Sequence, residues 1–256
     1  MPIPSTTRVA ALVQHDRLRY GDAWALQHRL VEERIADRRP DSLLLLEHEP
    51  VFTVGRSGQA GHWGGDEALS AAGYPLYHVE RGGSVTYHGP GQVVGYPILR
   101  LADFCPGPKA YVRLIEEALI RTLAAWGLTG RRVEKFPGVW TDPDPSDPAS
   151  RPRKIAALGV RIVRGVTMHG FALNVTVDLA PFDRIVPCGI AGCRVTSMQA
   201  ELARAGQPVP DITLVRRRVA EEFARTFGLE WMDGTDGQEA GPGERAERNA
   251  IGMDTW

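Results

Sequence analysis

The stretch "KIAALGVRIVRGVTMHGFALNVTVDL", residues 154–179, decides how the rest of the chain is arranged. Leu158, Val160 and Ile162 alternate along its first arm; Phe171, Leu173, Val175, Val177 and Leu179 alternate along its second. A period of two belongs to a strand with one buried face, and two such arms in succession read as a hairpin. A hairpin makes its sheet mixed rather than purely parallel. Upstream, "SLLLLEHEPVFTVG" (42–55) supplies a short aliphatic run and then Val-Phe-Thr-Val before a glycine. Three segments carry helical spacing instead. In "GDAWALQHRLVEERIADRRP" (21–40), Leu26, Leu30 and Val31 lie on a different face from Trp24, His28 and Glu32, with Pro40 marking the stop. In "AYVRLIEEALIRTLAAWGL" (110–128), Val112, Ile115, Leu119, Leu123 and Trp126 keep three-to-four spacing, Glu117 and Arg121 form an i,i+4 pair, and Gly127 is placed to cap. In "DITLVRRRVAEEFARTFGL" (211–229), Val215, Val219, Phe223 and Phe227 form a stripe that ends at Gly228. The fold class expected is α/β (α+β): a mixed β-sheet flanked by helices.

Composition sets the outer bounds. The chain has 256 residues, 43% hydrophobic and 24% charged, with a formal net charge of −1. That length can bury a full core, and that charge predicts attraction to neither nucleic acid nor membrane. The longest plainly apolar run, Leu43–Leu46, is far too short to span a bilayer. Three cysteines (Cys105, Cys188, Cys193) cannot all pair with one another and no CxxC occurs, which points to a reduced, cytoplasmic protein. Residues 1–232 are expected to form a single domain. The proline-rich "TDPDPSDPASRPR" (141–153) reads as a mobile loop, and the glycine-rich polar segment 233–256 as a disordered tail.

Two stretches raise questions of chemistry. "RGGSVTYHGPGQVVGYPI" (81–98) fits neither GxGxxG nor the phosphate-cradling GxxxxGK[ST]. Its glycines suit a tight hairpin with a bulge, or a place where a ligand meets bare backbone. The polar side chains Arg81, Ser84, Thr86, Tyr87 and His88 among them favour the second. In "IVPCGIAGCRVTS" (185–197), Cys188 sits between Pro187 and Gly189. An isolated cysteine is commonly a small buried hydrophobe, yet a turn can also expose its sulfur. Cys193 and His169 do not complete a metal-ligand set with it, so no metal is expected. A nucleophilic thiol needs a neighbour that favours thiolate, and His88, His169 and Lys154 are the candidates.

The ordered stretches "RGGSVTYHGPGQVVGYPI", "RKIAALGVRI", "TMHGFALNV" and "IVPCGI" together resemble the bacterial octanoyltransferases of lipoate biosynthesis, from about Tyr20 to about Gly228. The resemblance implies acyl transfer by a Cys/Lys pair, with Cys188 as nucleophile and Lys154 as the residue that activates it. Substrate contacts then fall on Arg81, Gly82, Gly83, Ser84, Val85, Thr86, Tyr87 and His88, on Ala157, Leu158 and Gly159, and on Gly170, Phe171 and Ala172. It also implies the fold of the biotin and lipoate protein ligase catalytic domains. The donor would be octanoyl-acyl carrier protein, whose phosphopantetheine bears the thioester. The acceptors would be lipoyl domains of 2-oxoacid dehydrogenase complexes and the glycine cleavage H protein, with no cofactor, neither ATP nor metal, required. Phe171, Val85 and Leu158 are expected to line an acyl slot, Tyr87 and His88 to orient it, and Asn174 and Arg56 to satisfy buried polar groups. Three other readings stand beside this one: an ATP-dependent lipoate or biotin ligase, a binding protein with an inert cysteine, and a hydrolase using a Cys–His pair.

Overall fold

The computed structural model describes residues 8–143 and 151–232. The chain runs through β1 (Arg8–Leu18), α1 (Tyr20–Ile35), β2 (Ser42–His48), β3 (Val51–Val54), α2 (Asp66–Ala71), β4 (Leu76–His78), β5 (Val85–His88) and β6 (Gln92–Ile98). It continues through α3 (Pro108–Ala124), β7 (Gly130–Val133), β8 (Phe136–Thr141), β9 (Arg153–Val163), β10 (Val166–Asn174), β11 (Arg194–Val195), α4 (Met198–Arg204), α5 (Ile212–Phe227) and β12 (Leu229–Trp231).

Eight strands form the main sheet in the order β12-β1-β2-β6-β10-β9-β8-β7, and β11 pairs with β9 as a ninth. β1 is parallel to β12 and β2, while β2-β6, β6-β10, β10-β9, β9-β8 and β8-β7 are antiparallel. The sheet is therefore mixed. β9 and β10 are the hairpin of residues 154–179, in the register Val160↔His169 and Leu158↔Phe171. Their turn places Arg164 at φ 47° and Gly165 at φ 84°, the pair of positive φ values that matches a two-residue connection to strand twist. The second arm is shorter than its alternation suggests. After Asn174 the chain leaves the sheet, and the amides of Val175, Thr176 and Val177 all donate to Gly91 O.

Helix α1 covers one face of the sheet, packing Leu26, Leu30 and Val31 on Leu44, Leu46, Val94 and Met168. On the other face α3 and α5 pack Ile115, Leu119, Val219 and Phe223 on Leu43, Leu45, Val93 and Leu173. This explains the unbroken leucines of β2: both faces are covered, so all seven of its residues are buried. α1 ends at Ile35 rather than at Pro40, because Asp37 turns at φ 53° while Asp37 and Asp41 hold Arg34 at 2.7 Å each. α5 begins where Asp211 accepts the Thr213 amide at 2.7 Å and stops at Gly228 in the left-handed region. β3 departs for a second, three-stranded sheet, β4-β3-β5, which forms one wall of the site. Thr141 and Arg153, which the proline pattern assigns to the loop, pair across β8 and β9. Positions 144–150 of that loop and the whole 233–256 tail lie outside the described residues.

Candidate active site

A cavity of about 460 Å³ opens between the β9–β10 hairpin and the Arg81–Ser84 loop, within the range of roughly 300–1,000 Å³ typical of small-molecule sites. The loop and β5 contribute Arg81, Gly82, Gly83, Ser84, Thr86 and His88 to its wall. β9 contributes Lys154, Ala157, Leu158 and Gly159, and β10 contributes Gly170, Phe171 and Ala172. Cys188 enters from the turn Pro187–Gly189. Val85 and Tyr87 are not on this wall. Alternation along β5 sends them to the opposite face, where they pack with Phe52 and Phe182 in a separate hydrophobic cluster. The glycines have a definite use. The Gly82 amide donates to Val160 O at 3.0 Å, and a Cβ on Gly159 would lie 2.8 Å from Gly82 O, so only glycine lets the loop close down on β9.

Lys154 Nζ lies 3.3 Å from Cys188 Sγ. The same ammonium donates to Pro137 O at 3.1 Å and sits 4.7 Å from the centre of the Trp140 ring. Lys154 is only 3% exposed, and none of its partners among the described residues is a carboxylate. A buried ammonium needs an anion nearby, and the sulfur is the group placed to become one. Cys188 itself adopts φ 57°, ψ 13°. For a residue with a Cβ this left-handed conformation costs about 1–3 kcal/mol, a strain that concentrates at functional sites. The other cysteines are placed differently. Cys105 belongs to the main core, where burial raises its thiol. Burial pushes Cys193 up to about 11 against the opposing charge of Lys154.

A second buried cation on the cavity wall is Arg81. Its guanidinium donates to Thr53 O at 2.6 Å, to Thr53 Oγ1 at 2.9 Å and to Gly82 O at 3.0 Å, with no carboxylate in ion-pair reach among the described residues. His88 Nδ1 meets Gln92 Oε1 at 2.7 Å, Gln92 Nε2 donates to Asn174 Oδ1 at 2.9 Å, and Asn174 Nδ2 donates to Thr196 O at 2.9 Å. Since the Thr196 amide donates to Lys154 O at 2.9 Å, this chain of bonds ties His88 to the backbone of the lysine. Burial, reinforced by the neighbouring His48 charge, pushes His88 down to about 3. Burial likewise lowers His48 and His169 to about 4. At neutral pH neither His88 nor His169 supplies an imidazolium to the sulfur.

These buried imidazoles make the fold acid-sensitive. An unfolded histidine titrates near ~6.5, so between that pH and about 4 the unfolded chain binds protons that the folded one refuses. Stability is fully present above ~6.5 and falls with pH, by about 2 kcal/mol for each such histidine at pH 5. Urea unfolding at pH 7, 6 and 5 should show the midpoint dropping steadily. A midpoint that holds constant over this range would mean that the imidazoles are not buried in neutral form.

Several residues of the site carry no clear sequence signal. Tyr20 and Tyr96 line the cavity from α1 and β6. His62 Nδ1 lies 2.6 Å from Ser84 Oγ, and its carbonyl accepts the Val186 amide, so it braces the turn that holds Cys188. Val112 and Phe136 stand at the mouth. Asn174 satisfies buried groups as expected; the Arg56 side chain instead points to solvent. Among the described residues no cluster of three or more His, Cys, Asp or Glu could hold a metal, and no helix is long and apolar enough to cross a membrane.

The chain is 46% identical over 235 residues to an octanoyltransferase of Acidobacterium capsulatum, covering 88% of this chain and 94% of that one. It is 52% identical over 188 residues to an octanoyltransferase of Thermobifida fusca, covering 72% and 76%. Among solved structures, a bipartite lipoate protein ligase of Thermoplasma acidophilum superposes with a TM-score of 0.62 at 15% identity, covering 89% of each chain. A lipoate-protein ligase A bound with ATP gives 0.60 at 16% identity, covering 90% and 91%. At such identities these two establish the fold, a mixed sheet flanked by helices. With residues 19–224 matched to the lipoyl protein ligase A/B catalytic domain, the chain belongs to that family.

Proposed function

We propose that this chain transfers an octanoyl group from the phosphopantetheine thioester of an acyl carrier protein to a lysine of a lipoyl domain, through an octanoyl thioester on Cys188. The observation that carries the reading is the 3.3 Å contact of Lys154 Nζ with Cys188 Sγ in the wall of the cavity. The name shared by the relatives supports the octanoyl group. Residues 1–232 act as one cytoplasmic catalytic domain in this account.

The chemistry proceeds in two balanced steps. The Cys188 thiolate attacks the donor carbonyl, an S–C bond forms, the bond to the phosphopantetheine sulfur breaks, and the departing thiolate takes a proton from the Lys154 ammonium. The acceptor amine then attacks the octanoyl thioester, an N–C bond forms, Cys188 leaves as thiolate, and neutral Lys154 receives the proton lost by the amine. Exchange between thioesters is nearly balanced and the amide lies downhill, so the chemistry draws on no ATP. Arg81 keeps the cavity positive where negative charge develops on the carbonyl oxygen. Phe171, Leu158 and Ala172 offer apolar surface to the chain.

The test is a reaction of octanoyl-carrier protein with an apo lipoyl domain. An octanoyl-lysine amide formed without ATP supports the proposal. An amide formed only from free octanoate and ATP would assign the chain to the ligases instead.

The acyl slot can be tested at Gly82. Gly83 is unsuited because its φ of 85° strains any side chain, whereas a Cβ on Gly82 would find only Val160 O within 4 Å, at 3.5 Å. Gly82→Val should therefore leave the fold intact and fill space on the cavity wall. Displacing two or three methylenes at ~0.8 kcal/mol each corresponds to about a 30-fold loss of kcat/KM for an octanoyl donor, with a smaller loss for a butanoyl donor. Equal losses for both chains would mean that the chain does not run past Gly82.

A further inference from the structure

A second groove, of about 740 Å³, lies on the surface between the start of α3 and the β7–β8 hairpin. It is continuous with the catalytic cavity, because Val112, Lys135, Phe136 and Pro137 line both. Its inner end reaches the reactive pair directly, since the Pro137 carbonyl is the one that accepts from Lys154 Nζ. Its outer part carries charge of one dominant sign: four cations, Lys109, Arg113, Arg132 and Lys135, against two carboxylates, Glu116 and Glu134. Arg132 is already held by Glu116 at 3.1 Å and Glu117 at 2.8 Å, an arrangement that ties α3 to the hairpin and forms part of the groove wall. Lys109, Arg113 and Lys135 make no ion pair among the described residues, and all three are exposed. Phe136, 40% exposed, adds an apolar surface where groove and cavity meet.

We infer that this groove seats the phosphate-bearing arm of the acyl donor, with its phosphodiester over Lys109 and Arg113 and its thioester delivered past Phe136 and Pro137 to Cys188. The inference rests on the octanoyl-transfer reading above. Charge selects the donor over the acceptor as occupant: a phosphodiester is an anion drawn to unpaired cations, whereas the acceptor presents an ammonium that they repel. Shape agrees with charge. The occupant must be extended and slender, must carry its anion at the outer end, and must reach a buried sulfur at the inner one.

The experiment compares two small donors, the octanoyl thioesters of 4′-phosphopantetheine and of pantetheine, which differ only in the phosphate. A charge-assisted hydrogen bond is worth a factor of about ten or more, so wild-type kcat/KM should favour the phosphorylated donor at least tenfold, and added salt should shrink that preference. In Lys109→Ala/Arg113→Ala the ratio should fall to about one, and Lys109→Arg/Arg113→Lys should recover most of it. Thermal melting confirms that these exposed changes leave the fold in place. A wild-type enzyme that uses both donors equally overturns the groove assignment alone. So does a double variant whose defect appears in KM for the lipoyl domain, which would make the groove the acceptor's. Failure of the wild type to form an amide from either donor overturns the octanoyl-transfer reading itself.

Discussion

Lys154→Ala should abolish octanoyl transfer while leaving a folded protein, and should raise the pH at which iodoacetamide alkylates Cys188. The ammonium and a thiolate 3.3 Å apart attract by about 5 kcal/mol at an effective dielectric near ~20, before desolvation is subtracted. The lysine is buried whether or not the thiol ionises, so much of its desolvation is met by the Pro137 carbonyl and the Trp140 ring. The attraction is thus available to favour thiolate. Loss of a positioned proton carrier alone slows such reactions by about 10²–10⁴-fold, and loss of the thiolate's counter-charge adds to it. Lys154→Arg keeps a charge but holds its proton at every accessible pH. It should restore part of the alkylation and little of the transfer. Alkylation is read with Cys105 and Cys193 replaced, so that one thiol reports. A profile unmoved in Lys154→Ala but shifted upward in His88→Ala or His169→Ala would give the role to a histidine.

The sheet was legible where burial is one-sided or complete. The alternation of Leu158, Val160 and Ile162 against Phe171 and Leu173 gives β9 and β10, and the stripes of α3 and α5 are those of helices resting on a sheet. What escaped was short or set by tertiary contacts. β7, β11 and β12 have four, two and three residues, too few for a period to emerge, and they are strands because a neighbour pairs with them. β1 mixes charged and apolar residues because its outer half is exposed. Val175 and Val177 continue the alternation of β10 while Gly91 O takes their amides, so a pattern of buried valines outlasts the strand.

The site was legible where a side chain's chemistry is tied to an unusual backbone. Gly82, Gly83 and Gly159 mark the close approach of loop and strand, and Pro187–Gly189 marks the strained turn of Cys188. Treating 81–88 as a continuous contact segment ignores the alternation of β5, which turns Val85 and Tyr87 away from the cavity. Tyr20, His62 and Tyr96 come from three distant parts of the chain and meet only in the fold. No local pattern distinguishes them from ordinary core or loop residues.

An octanoyl thioester on Cys188 should be isolable. The turn strains Cys188 at φ 57° and brings its sulfur to Lys154, whereas Cys105 is in the core and Cys193 is held protonated by burial. A serine hydroxyl in the same place ionises far less readily than a thiol, so the lysine's field is not enough to make it a nucleophile. Cys188→Ser should lose transfer by about 10³-fold or more, a loss comparable to removing a covalent nucleophile elsewhere. Cys105→Ala and Cys193→Ala should keep most activity. The decisive measurement is the intact mass of the enzyme after brief incubation with octanoyl-carrier protein and no acceptor. The wild type should gain one octanoyl group, mapped to the peptide bearing Cys188 and discharged on adding a lipoyl domain, and Cys188→Ser should gain none. An adduct on another residue, or transfer by Cys188→Ser at a comparable rate, would contradict the account.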